Sequence, residues 1–160
     1  MDLTSLFPYL LFLHVLGAVV AFGPTFAYSI MGAMAGREPQ HANFSARQTA
    51  AISNGLVYPL AAVQAVTGVL VFISAPSDEF TTGWWLALAI ILYVVAFTFS
   101  LTIQRNALHH LIELTATPPV PGMPPSAEIP ATVRKIQRGG IFTAILIITI
   151  VFLMVVKPGT

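Results

Sequence analysis

LTSLFPYLLFLHVLGAVVAFGPTFAYSIMGAMAG, residues 3–36, contains no Asp, Glu, Lys or Arg. A stretch of this length without an ionised side chain is expensive to keep in water and suited to hydrocarbon. About 20 apolar residues, rising about 1.5 Å each as a helix, cross a hydrocarbon core of about 30 Å. Three further charge-free runs follow, at 48–77, 80–104 and 139–156, and the shortest has 18 residues. The whole chain of 160 residues holds 7 Lys and Arg and 6 Asp and Glu, or 8% charged residues. A soluble domain carries about 25%. The expected fold class is therefore all-α: a four-helix transmembrane bundle, one domain over residues 1–160.

Helices are expected at about 6–35, 50–74, 83–114 and 140–156. A start of the fourth near Pro130 stays open, with Gly139-Gly140 as a weak join. Pro24 and Pro59 lie inside expected helices and predict kinks, because proline removes one hydrogen bond and crowds the preceding turn. Six of the 12 prolines fall between residues 116 and 130, which predicts an extended loop of polyproline character. The first run opens Met1-Asp2-Leu3-Thr4, without a basic segment. Its apolar stretch exceeds the roughly 7–15 residues of a signal peptide, so it is expected to be an uncleaved anchor.

Basic residues orient the bundle. Arg37 and Arg47 follow the first helix, and Arg105, Arg134, Lys135 and Arg138 follow the third. The loop between the second and third helices has no basic residue and carries Asp78 and Glu79, and Lys157 stands alone near the C-terminus. The positive-inside rule then puts the first and third loops in the cytoplasm and both termini on the non-cytoplasmic side. The expected location is the bacterial inner membrane, multi-pass. Trp84 and Trp85 suit an aromatic anchor at the outer interface. The four cations of the third loop, Arg105, Arg134, Lys135 and Arg138, read as topogenic charge facing anionic headgroups, with a phosphate-ligand site as the lesser reading.

Polar groups in hydrocarbon need partners. His14 lies about eight residues into the first helix, roughly 12 Å deep. His14, Gly17, Ala18, Ala21, Thr25, Tyr28 and Gly32 recur at helical spacing as one small and polar face, which Gly36 extends as a short GxxxG. Small residues allow close helix approach in lipid, so Gly17, Ala21, Gly32, Gly36 and Gly68 are candidate packing positions. Depth counting brings Gln64, Thr67, Tyr93 and Thr149 near the level of His14, and Asn54, Gln104, Arg105 and Tyr28 near the cytoplasmic side. The candidate cofactor-binding set is His14, Gln64, Thr67 and Tyr93. The plainer reading of His14 is a neutral packing histidine held by one of these groups.

Several chemistries are excluded. Without cysteine there is no disulfide, thiolate metal site or thiol nucleophile. No GxSxG, HExxH, phosphate loop or dinucleotide fingerprint occurs, and no catalytic carboxylate pair lies within a run. Nothing resembles a nucleic-acid footprint. His109 and His110 point about 100° apart on a helix and read with Glu113 as a solvated helix end. Asp78 and Glu79 make a thin shell for a cation. An intrachain bis-histidine haem b is disfavoured, because His109 and His110 lie roughly 38 Å from the outer end of their helix and His14 roughly 12 Å from the same side.

Leu13-His14-Val15-Leu16-Gly17-Ala18-Val19-Val20-Ala21-Phe22-Gly23 resembles the opening of a group of small bacterial membrane proteins. They include a family known only as a domain of unknown function and, more distantly, copper-resistance-D-type and haem-linked protoporphyrinogen-oxidase-type proteins. Val57-Tyr58-Pro59-Leu60, followed by Gln64 and Thr67-Gly68, resembles the second helix of the unknown-function family. The resemblance implies a four-helix bundle and makes His14 the residue to watch. Residues 84–104 depart from the haem-linked pattern, since they offer no second axial ligand. The expected function is association, as an accessory or structural subunit of a larger membrane complex, through contacts with lipid, other subunits or further copies of the chain. The alternatives are a haem- or quinone-associated redox protein centred on His14 and a small oligomeric transporter.

Overall fold

A backbone in hydrocarbon must satisfy its own N–H and C=O groups, and a helix does this within one segment. Each charge-free run obeys. The computed structural model describes residues 3–76, 83–117 and 126–159. Within them four helices are long and apolar enough to cross a membrane: Thr4–Arg37, Pro39–Ser74, Trp84–Leu114 and Glu128–Val156. We call these the first to fourth spans. Among the described residues there is no strand.

The first span begins as a 3₁₀ turn, Leu3–Leu6, and continues as an α-helix, Phe7–Arg37. Pro24 does not end it. The Thr25 hydroxyl donates to the Phe22 carbonyl at 2.6 Å, a local bond of the kind that steadies backbone around a membrane proline.

The second span starts well before residue 50, the expected position. Its polar opening, Ala42–Ile52, is α-helical. Ala46 and Ala50 are buried against Leu108 of the third span, with Leu111, Ile112 and Ile136 around them. This packing carries the helix past the apolar boundary that hydropathy marks. A π-turn, Ser53–Val57, follows, in which the Tyr58 N–H donates to the Ser53 carbonyl. It leads into the α-helix Tyr58–Ser74, with Pro59 in its first turn. Proline cannot donate to a carbonyl one turn back, so the widened turn sits where the normal ladder has a missing donor.

The third span runs as the α-helix Trp84–Phe99, a second π-turn Ser100–Gln104, and the α-helix Arg105–Leu114. The fourth runs unbroken from Glu128 to Val156, so the earlier of its two expected starts is the observed one. Pro130 falls within the first turn, where the N–H groups have no helical acceptor. Gly139-Gly140 does not interrupt the helix. The polyproline expectation falls mainly on residues 118–125, and Asp78 and Glu79 on 77–82, which lie outside the described residues.

The spans pack as two hairpins, first along second and third along fourth. The hairpins join where the opening of the second span meets the last turns of the third, and where the first meets the fourth. The interior is made of small residues: Ala21 and Ala89 are wholly buried and Ala61 nearly so. Large apolar side chains such as Phe12, Val19, Ile30, Ile91 and Val155 point outward. Lipid makes that arrangement stable, since helices there associate by close approach rather than by hiding apolar surface. At the far end Trp85, Ala89 and Leu153 form a second cluster, with the Lys157 ammonium 5.9 Å from the Trp85 ring centroid. The paired tryptophans part company, as neighbours on a helix must: Trp84 is 60% exposed, Trp85 1%.

Candidate functional site

His14 is half-buried between the first two spans. Its Nδ1 lies 2.9 Å from Thr67 Oγ1, and its Nε2 lies 3.2 Å from Gln64 Nε2. The Thr67 hydroxyl donates to the Gln64 carbonyl at 3.1 Å. One proton assignment satisfies all three bonds: Nδ1–H donates to Thr67, and Nε2 accepts from the Gln64 amide. The imidazole is then neutral with both nitrogens engaged.

Two glycines make this network fit. Gly17 faces Gln64, and a Cβ there would stand 2.7 Å from Gln64 Oε1. Gly68 faces His14, and a Cβ there would stand 3.2 Å from His14 Cε1. Each helix therefore offers a polar side chain to a glycine on the other. Gln64 is 6% exposed, and its Oε1 has no conventional hydrogen-bond partner among the described residues.

The same device recurs in the second hairpin. Gln104 Nε2 donates to the Ile136 carbonyl at 3.1 Å. Its Oε1 is buried without a conventional partner and lies over Gly139, where any Cβ would clash with the amide. A buried glycine inside a helix, one span away from a glutamine at the same depth, was the available sequence signal for this pair. It explains why Gly139 is tolerated mid-helix despite its low propensity.

Tyr93 lies outside the His14 network. Its hydroxyl donates to the Ala61 carbonyl, one turn away from Gln64 along the second span. Tyr58 makes the reciprocal bridge, donating to the Ser100 carbonyl at 3.2 Å. Tyr28 meets Ser53, oxygen to oxygen, at 3.0 Å. The last two bonds meet the π-turns, since Ser53 and Ser100 each open one. A π-turn displaces carbonyls from the regular ladder; Tyr58 reaches the carbonyl of Ser100, while Tyr28 meets the Ser53 hydroxyl. Hydropathy periodicity gave no sign of these turns. Thr149 bonds back to the Ile145 carbonyl of its own helix and takes no part.

Ala21 is buried in the first hairpin. Gly32 and Gly36, on the same span, are open: a Cβ placed on either would have nothing within 4 Å, so no neighbour among the described residues uses them. Arg134, Lys135 and Arg138 line one groove between the third and fourth spans; Arg105 is not part of its lining. His110 links the same ends through Glu113 at 4.0 Å and Glu128 at 3.8 Å. Among the described residues no cluster of three His, Cys, Asp or Glu could hold a metal ion.

No curated protein and no solved structure matches the chain. Residues 8–158, which take in all but the first four residues of the four spans, match one family, described as "Predicted integral membrane protein (DUF2269)". The chain belongs to that family of integral membrane proteins, whose function is unknown.

Proposed function

We propose that this protein works by lateral association in the bilayer, as an accessory or structural subunit of a larger membrane complex. The observation that carries this reading is the contrast among its glycines. Gly17, Gly68 and Gly139 each receive a side chain from a neighbouring helix, whereas Gly23, Gly32, Gly36 and Gly55 meet no neighbour among the described residues, and of these Gly32 and Gly36 stand one turn apart on the first span. In lipid, small residues one turn apart are where a further helix can approach. Extraction in mild detergent tests the reading. The wild-type chain is expected to migrate as an oligomer or with companion subunits, and Gly32→Leu with Gly36→Leu to migrate as a monomer of unchanged unfolding midpoint. A wild-type chain that is monomeric in detergent and gains no neighbour on cross-linking in native membranes overturns it.

The redox alternative asks His14 to ligate a haem iron. As packed, its two ring nitrogens are committed to Thr67 and Gln64, and Tyr93 is committed to Ala61. An axial ligand needs a ring nitrogen that no protein group occupies, so these residues do not fit the group and we derive no redox step from them. The absorption spectrum of protein from haem-replete cells is the direct check: a Soret band that shifts on reduction would reinstate the redox reading.

A further inference from the structure

We infer that the groove between the third and fourth spans is a binding site for one anionic phospholipid. The groove is a shallow cleft, open along one side, of about 630 Å³, within the range of about 300–1,000 Å³ typical of small-ligand sites. Its chemistry is divided along its length. Arg134, Lys135 and Arg138 stand at one end, and Val95, Phe99 and Phe142 line the remainder. Phe99 and Phe142 meet edge to face, with ring centroids 5.0 Å apart, where the third and fourth spans come together.

The two parts suit the two parts of a lipid. Val95 lies two turns deeper in the third span than Ile103, the last residue of that span to line the groove. At about 1.5 Å per residue the apolar channel therefore extends about 12 Å from the basic mouth toward the bilayer centre. An acyl chain can follow such a channel, and a free phosphate has no use for it. The three cations are exposed, and none makes an ion pair with a carboxylate among the described residues. Glu128, on the same span, is turned to His110 instead. They are left open to an outside anion, and a headgroup phosphodiester at the end of an apolar groove supplies one.

Each cation near an anionic surface is worth about fivefold in affinity, or roughly a hundredfold for three. The full-length protein, reconstituted in phosphatidylcholine nanodiscs and titrated with phosphatidylglycerol, is then examined by native mass spectrometry. The wild-type chain is expected to retain one phosphatidylglycerol and no phosphatidylcholine. Arg134→Gln with Lys135→Gln and Arg138→Gln should weaken retention by roughly a hundredfold. Val95→Trp keeps every charge but fills the channel, and should also abolish retention. Equal retention of the two lipids by the wild-type chain overturns the proposal without reference to any variant. So does retention untouched by Val95→Trp, which would mark diffuse surface attraction, or displacement by inorganic phosphate, which would mark a simple anion site.

Discussion

At the level of single residues, His14, Gln64 and Thr67 illustrate how sterics and hydrogen bonding divide the work of holding two helices together. Interhelical hydrogen bonds in lipid average about 0.6 kcal/mol, because the separated helices find other partners. Overpacking a close contact costs about 1–3 kcal/mol. A Cβ on Gly17 would meet Gln64 Oε1 at 2.7 Å, against 3.2 Å from a Cβ on Gly68 to His14 Cε1, and the Gln64 amide cannot swing aside without giving up its bond to His14. The expected order of destabilisation is therefore Gly17→Ala first, then Gly68→Ala, with Thr67→Val least, at about 0.6 kcal/mol. Unfolding midpoints in mixed micelles of rising SDS fraction measure it. If Thr67→Val proved costlier than Gly17→Ala, the polar network rather than the glycine contact would be what joins the first two spans. Depth counting from the sequence could bring His14, Gln64 and Thr67 to one level, because helical rise is constant. It could not show Gly17 and Gly68 as sockets, because which side chain a glycine receives depends on the crossing of two helices.

At the level of elements, four helices were legible from charge alone, since the bilayer sets both the length and the composition of a span. Their ends were less so. The second and fourth spans continue beyond the apolar boundary, where packing of Ala46 and Ala50 on Leu108 in one case, and of Gly139 under Gln104 in the other, outweighs local propensity. The π-turns were invisible, because they alter hydrogen-bond spacing without altering hydropathy. They can be tested by deletion. A π-turn holds one more residue than an α-turn, so removing Gly55 from Ser53–Val57 should leave both flanking helices in register. Removing Val66 from the regular helix should instead rotate everything beyond it by about 100° and separate Thr67 from His14. The expected outcome is a folded ΔGly55 protein, with near-ultraviolet dichroism of the two tryptophans close to wild type, and a ΔVal66 protein that is unstable or fails to accumulate. Equal tolerance of both deletions would mean that the widened turn does not set the register.

For the molecule as a whole, orientation decides which leaflet supplies the lipid at Arg134, Lys135 and Arg138. The argument is electrostatic. Six of the seven Lys and Arg residues cluster at the end of the bundle where the second and third spans meet through Ala46, Ala50 and Leu108. Lys157 is at the opposite end, beside Trp85. Loop cations resist translocation, and anionic lipid in the cytoplasmic leaflet holds them once there. We therefore propose that both termini face away from the cytoplasm. The absence of cysteine makes the measurement direct, since each introduced thiol is the sole target of a maleimide. In intact spheroplasts a membrane-impermeant maleimide should label Lys157→Cys at once and Glu38→Cys only after lysis. Glu38 is exposed at the turn between the first two spans, so burial cannot account for its protection. The reversed pattern would place the basic groove in the outer leaflet. Retention of an anionic lipid would then have to draw on whatever anionic lipid that leaflet holds, and the link between topogenic charge and lipid site would fail.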